Sequence, residues 1–173
     1  MRRITMCGAA MIMMAVMTTV ALTQTTAEPT PEKAGLGIDR RSAESIAAQV
    51  KSMLGDARTS SGGIASATLE KYPGHYTMLT VRTKSGGAEM HAEWSDIFYV
   101  LDGEATEITG GTIVDPTQSA AGETRGTRVE GGTSTPMRKG DVIHISPNTP
   151  HQIILAPGKT FSYYVIKVAA PKQ

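Results

Sequence analysis

Four side chains have the types and spacing of a metal-ligand set: Glu89, His91, Asp96 and His151. On an extended strand alternate side chains share a face, so Glu89 and His91 point the same way. Ala92-Glu93-Trp94-Ser95 suits a tight reversal, after which Asp96 begins the returning strand. His151 follows Asn148-Thr149-Pro150, a turn that aims it inward at the start of another strand. Two neutral imidazoles with one or two carboxylates suit a borderline divalent ion: Fe(II), Mn(II), Zn(II), Ni(II) or Cu(II). With these ligands on one face of the ion, open positions are left for substrate or oxygen. Glu93 is the competing carboxylate, expected in the turn and facing solvent.

The elements that must position these residues are mostly strands. From residue 60 onwards turn signals recur at Ser61-Gly62-Gly63, Pro73-Gly74, Ser85-Gly86-Gly87, Asp102-Gly103, Gly110-Gly111, Gly131-Gly132, Lys139-Gly140-Asp141 and Pro157-Gly158. Between them lie β-branched or aromatic runs at 75–83, 97–101, 105–114, 142–145, 152–155 and 160–168. Many short strands at this spacing predict a sandwich or barrel. The Gly-, Ser- and Thr-rich stretch 115–135 is expected to be a long excursion with at most one strand pair, around residues 127–129. One helix precedes the strands, over residues 39–55. Ala43, Ile46, Ala47, Val50, Met53 and Leu54 recur at helical spacing, Asp39 or Ser42 can cap the start, and Gly55 is expected to end it.

Residues 1–27 are expected to be a secretory signal peptide. Met1-Arg2-Arg3 is a basic start, an apolar run follows from Ile4 to Leu22, and Thr23-Gln24-Thr25-Thr26-Ala27 offers a cleavage site after Ala27. No charged stop-transfer cluster follows, which disfavours a permanent anchor. Cys7, the single cysteine, leaves with the signal, so the mature protein has neither disulfide nor thiolate chemistry. Residues 28–38 are expected to form an extended tether, and the location is periplasmic or secreted. A net charge of +1 gives no support for nucleic-acid or anionic-membrane binding. The expected partner is a small molecule.

The stretches 87–104 and 140–151 resemble the two motifs of the cupin superfamily, and the likeness spans roughly residues 76–168. The first family motif is His-x-His, three or four residues, Glu, six residues, Gly. Counting back from Gly103, Asp96 stands at the family's Glu, His91 at its second His and Glu89 at its first. The second motif is Gly, five residues, Pro-x-Gly, two residues, His. Gly140 and His151 match in register, while Ser146 replaces the Pro and Asn148 the Gly. Asn is the best non-Gly residue for a left-handed turn, so that change is conservative.

The resemblance implies an all-β fold: a double-stranded β-helix, or jelly-roll barrel, over residues 60–170, with the amphipathic helix outside. It implies a divalent transition metal on His91 and His151, then Glu89, then the shorter Asp96. It also suggests a homodimer through the helix or a barrel edge. Family members include oxygenases, isomerases, epimerases and lyases, which favours a metal-dependent enzyme; the alternative is a non-catalytic module binding a small ligand or a metal. Fold alone does not separate these. Among other residues, His144 in its apolar strand is expected to be packed or hydrogen-bonded rather than a ligand, and His75 to have a surface or structural role. Arg82, Tyr76 and Tyr99 are candidates to line the pocket. Trp94 lies near its mouth. Phe98 and Val100 share the face of Asp96 and are expected to fill the interior.

Overall fold

Ser42 opens the helix by chemistry legible in its residue type: its side chain accepts a hydrogen bond from the Ser45 N–H at 3.2 Å. Helix α1 then runs Ala43–Thr59, with Glu44 in its first turn and Arg58 in its last, both favourable to the helix dipole. The computed structural model describes residues 37–171, so the expected signal segment 1–27 and most of the tether lie outside the described residues. Gly55 does not end the helix. It sits within it, with open space around its Cα, and Ser60 is the cap. Glycine weakens a helix interior by only about 1 kcal/mol, which the packing of Met53 and Ala57 against Leu79 and Val81 outweighs. Asp39, the other candidate cap, instead accepts a hydrogen bond from the Tyr72 hydroxyl at 2.8 Å.

Twelve strands follow, and every pairing among them is antiparallel. They are β1 Ile64–Tyr72, β2 His75–Arg82, β3 Ala88–His91, β4 Trp94–Thr109, β5 Thr112–Val114, β6 Thr117–Ala120, β7 Glu123–Gly126, β8 Arg128–Glu130, β9 Thr133–Arg138, β10 Val142–Ile145, β11 His151–Ile154 and β12 Phe161–Ala169. The main sheet has the order β1-β2-β12-β4-β11-β3-β7-β6, with β9 and β10 also on β4. The short pair β5-β8 stands apart from it. The fold is thus the expected all-β barrel of cupin type with one helix outside it.

Strand β4 is the seam. Its first half pairs with β12 and β10, and its second half with β11 and β9. Asp102-Gly103 was expected to be a turn between two strands. Instead one strand continues through it with a register shift, and Gly103 takes φ +86° opposite Phe161. A Cβ there would lie 2.1 Å from the Thr160 carbonyl oxygen, so glycine is required by close approach as well as by conformation.

Inward-facing Phe98, Val100, Met137, Ile153, Phe161, Tyr163 and Val165 form the apolar interior. Burying each such side chain contributes about 1.5–3 kcal/mol. Strand β1 has no counterpart among the expected runs, because its helix-facing residues include the small Ala65 and Ala67, a weak hydrophobic alternation. The excursion 115–135 also holds more strand than expected. Thr117–Ala120 and Glu123–Gly126 form a hairpin that carries no large apolar residue, so no period-two pattern announces it.

Gly103→Ala is expected to destabilise the fold by about 2 kcal/mol or more, through strain at positive φ and the clash with Thr160. Urea unfolding followed by circular dichroism measures this; an unchanged midpoint would rule out the close approach.

Candidate metal centre

The short strand β3 separates its side chains by parity. Ala88 and Met90 pack with Ile113, Val129 and Ile108, while Glu89 and His91 face a cavity of about 520 Å³. His151 opens β11, which pairs with both β3 and β4, opposite Glu89 on one side and Thr109 on the other. The turn before it is tied to β3. Asn148 adopts φ +58° and its N–H donates to the His91 carbonyl at 2.8 Å. The left-handed conformation expected for Asn148 therefore brings the second histidine beside the first. Their ring centroids are 5.1 Å apart.

Both rings are oriented through Nδ1. His91 Nδ1 lies 2.6 Å from Glu123 Oε2, and His151 Nδ1 lies 2.9 Å from the Thr149 carbonyl oxygen. A carbonyl can only accept, so Nδ1 of His151 carries the proton and Nε2 presents its lone pair. The Nε2 atoms of both histidines are buried and have no hydrogen-bond partner. Burial holds His151 neutral, with its pKa lowered to about 4. One ligand atom each from Glu89, His91 and His151 lies within 4.8 Å of the others, so this group could hold an ion.

Asp96 lies beside the group, with one carboxylate oxygen towards the two rings and the other on Lys167. Its Oδ2 is 3.4 Å from His91 Nε2 and 3.7 Å from His151 Nε2, while its Oδ1 lies 2.5 Å from Lys167 Nζ. Burial would raise the Asp96 pKa, but contact with His91 and the charge of Lys167 outweigh it and hold the carboxyl below its ordinary range. Glu89 is flanked by two guanidinium groups. Arg125 forms a short ion pair with its Oε2, and Arg82 Nη2 stands 3.8 Å from its Oε1. The pairing of β3 with β7 explains the contacts, since Glu89 lies opposite Arg125 and His91 opposite Glu123.

Of the pocket candidates, Arg82 and Tyr76 line the cavity, whereas Tyr99 faces outward. Trp94 packs edge-on against Tyr76 with centroids 5.0 Å apart, and His75 stacks on Tyr72. Glu93 is exposed, as expected for a turn residue. His144 is also exposed rather than packed, because strand parity turns it outward while Ile145 faces in. Phe98 and Val100 are interior.

Sequence reasoning missed Glu123, Arg125, Lys167 and Glu107. Glu123 and Arg125 lie in the polar hairpin and are reached only through pairing at long sequence separation. Lys167 was within reach: Tyr163, Val165 and Lys167 alternate on one inward face, and a lysine that extends an apolar face marks a buried charge. Glu107 follows Ala105 in the same way on β4. It is fully buried, with neither carboxylate oxygen partnered. Burial raises its pKa to about 8, with Asp96 adding to the rise and Arg82 opposing it.

No protein-family model matches the chain, and no curated protein matches it. Cupin-fold proteins are among the solved structures similar to it. A predicted oxalate decarboxylase from Thermotoga maritima is 15% identical over 62% of this chain and 81% of its own, with a TM-score of 0.46. KdgF from Halomonas sp. is 15% identical over 65% of this chain and 85% of its own, at 0.45. The cupin domain of Cnp3 from Schizosaccharomyces pombe is 12% identical over 62% and 65%, at 0.47. At such identities the likeness is one of fold.

Glu107 yields a signed pH dependence. Its folded value, about 8, lies above its ordinary 4.5, so its contribution to stability is complete below pH 4.5 and is lost as pH rises through 8. Glu107→Gln removes that titration. The variant is expected to match the native chain near pH 4.5 and to exceed its stability at pH 8 by several kcal/mol, about 4 from the two values. Denaturant melts across that range are the measurement, and a difference independent of pH would show that Glu107 is already ionised in the folded protein.

Proposed function

We propose that this protein is an exported, cupin-type, metal-dependent enzyme that holds one divalent transition ion on Glu89, His91 and His151 and acts on a small molecule. One observation carries the metal reading. Two buried imidazole Nε2 atoms lack partners beside the Glu89 carboxylate, and each ring is fixed at Nδ1 by an acceptor. Metal-binding histidines are oriented in this way, and an unpaired buried polar atom otherwise costs about 1–3 kcal/mol. Two imidazoles and a carboxylate suit Fe, Mn, Zn, Ni or Cu. When bound, such an ion would supply Lewis acidity towards a substrate oxygen.

The remaining roles belong to the chain. Glu123 fixes the His91 ring and its tautomer, and the Thr149 carbonyl does the same for His151. Asp96, held through Oδ1 by Lys167, turns its Oδ2 and its negative charge towards both rings. Barrel walls of Phe98, Tyr163 and Val165 limit water on the apolar side of the cavity. Export is inferred from the basic, apolar and small-residue order of residues 1–27. Among the described residues no helix is long and apolar enough to cross a membrane.

Protein purified without added metal is expected to contain about one equivalent of a divalent transition ion by elemental analysis. His91→Ala and His151→Ala should lose it. Glu123→Gln should bind the ion about 10- to 100-fold more weakly with the fold retained. Metal-free protein whose melting midpoint is unmoved by Zn(II), Mn(II), Fe(II), Ni(II) or Cu(II) would sink the proposal. Turnover of candidate substrates under aerobic and anaerobic conditions separates an enzyme from a binding module, which would show saturable binding alone. Export is checked by mass spectrometry of the mature chain, expected to begin at Glu28; an intact Met1 terminus would count against it.

A further inference from the structure

The charged side chains that line the cavity balance. Arg82, Arg125 and Lys167 are cationic, and Glu89, Asp96 and Glu123 are anionic. A divalent ion on Glu89 and the two neutral histidines would therefore leave two positive charges uncompensated in a partly buried space. Such a surplus is costly unless an anion enters with the ion or after it.

Arg82 is the group built to receive that anion. It is only 6% exposed and belongs to β2, which is paired on both edges, opposite Ile64 of β1 and Phe161 of β12. Its Nε donates to the Tyr163 hydroxyl at 3.1 Å, the one side-chain hydrogen bond it makes among the described residues. The guanidinium also lies against Gly86, where a Cβ would come within 2.8 Å of Nη1. Its stem and Nε are thus fixed, while the Nη2 amino group stands 3.8 Å from the nearest carboxylate oxygen, beyond a hydrogen bond. A pre-ordered guanidinium fork beside a candidate metal group matches a planar carboxylate, which it can bind through two parallel N–H···O bonds. Tetrahedral phosphate is less suited. The single helix among the described residues packs outside the barrel on β1 and β2, and so offers the cavity no row of helical N–H groups.

We propose that the cavity takes a small organic carboxylate whose carboxylate group docks on the Arg82 guanidinium, with Arg125 as a second anchor nearer the mouth. This deepens the proposed function and rests on its bound ion for the charge surplus. Arg125 is suited to the outer position because its side chain is about half exposed and shared between Glu89 and Glu123.

Titration calorimetry on the metal-loaded protein, with metal content measured on the same samples, tests this. The probes are propionate, benzoate and succinate, their neutral amides propionamide, benzamide and succinamide, and inorganic phosphate. At least one carboxylate is expected to bind while its amide does not. Arg82→Lys, which keeps the charge but loses the fork, should weaken binding at least about tenfold at unchanged metal content. Arg125→Gln, at a half-exposed position that spares the fold, should weaken it by a smaller factor. Full metal content with no carboxylate bound would overturn the carboxylate site and leave the metal reading standing. So would an amide or phosphate binding equally well, or wild-type affinity in both variants. Carboxylate binding to metal-free protein that Arg82→Lys abolishes would do the reverse, keeping the site and removing the metal.

Discussion

Antiparallel pairing of β3 between β11 and β7 is the constraint on which the cavity depends. It is only four residues long, yet it sets Glu89 opposite both His151 and Arg125, and His91 opposite Glu123. A slip of one residue would turn Glu89 and His91 into the cluster of Ile113 and Val129 and bring Ala88 and Met90 to the cavity. The register is secured from outside the strand as well. Ala92 N–H donates to the Gly122 carbonyl at 2.8 Å, and Asn148 N–H donates to that of His91. These backbone bonds hold both sides of the His91–Ala92 peptide without using any side chain that the cavity needs.

Around this register the barrel divides by polarity. Apolar side chains from β4, β9, β10, β11 and β12 fill one region, and ionisable groups fill the other. Burial of so many charges is tolerated because nearly all are paired: Asp96 with Lys167, Glu89 with Arg125, and Glu123 with both His91 and Arg125. Such pairs contribute little net stability once their dehydration is counted. Their effect is to fix geometry, while the apolar region and the helix-covered face of β1 and β2 supply the stability. Glu107 is the exception, a buried carboxyl with no ion pair among the described residues, and burial raises its pKa.

The parts legible in the sequence were those encoded locally. His91 and His151 stand at fixed offsets from Gly103 and Gly140, and both glycines take positive φ as their turn or bulge requires. Strands β2, β10 and β12 could be read from alternating or β-branched runs because one face of each is apolar. Where the face is short, as with Ala65 and Ala67, or polar, as in Thr117–Ala120, the pattern fades and pairing partners decide the structure. Asp102-Gly103 misled for a related reason: the same dipeptide serves a hairpin turn or a bulge, and only the approach of Thr160 distinguishes them. The arginines, Glu123 and Lys167 reach the cavity through contacts between residues distant in sequence, which local composition does not encode.

The position of β12 has a consequence for the order of events in making this protein. Strand β12, the last of the described strands, lies between β2 and β4, pairing with both along most of its length. Until Phe161–Ala169 is present, β2 and β4 lack a shared neighbour and the Tyr163 hydroxyl that holds Arg82 is missing. Closure therefore waits until β12 has been made, and pairings at such long sequence separation are slow to form. A polypeptide of this topology stays open until β12 emerges, however early its first strands were made.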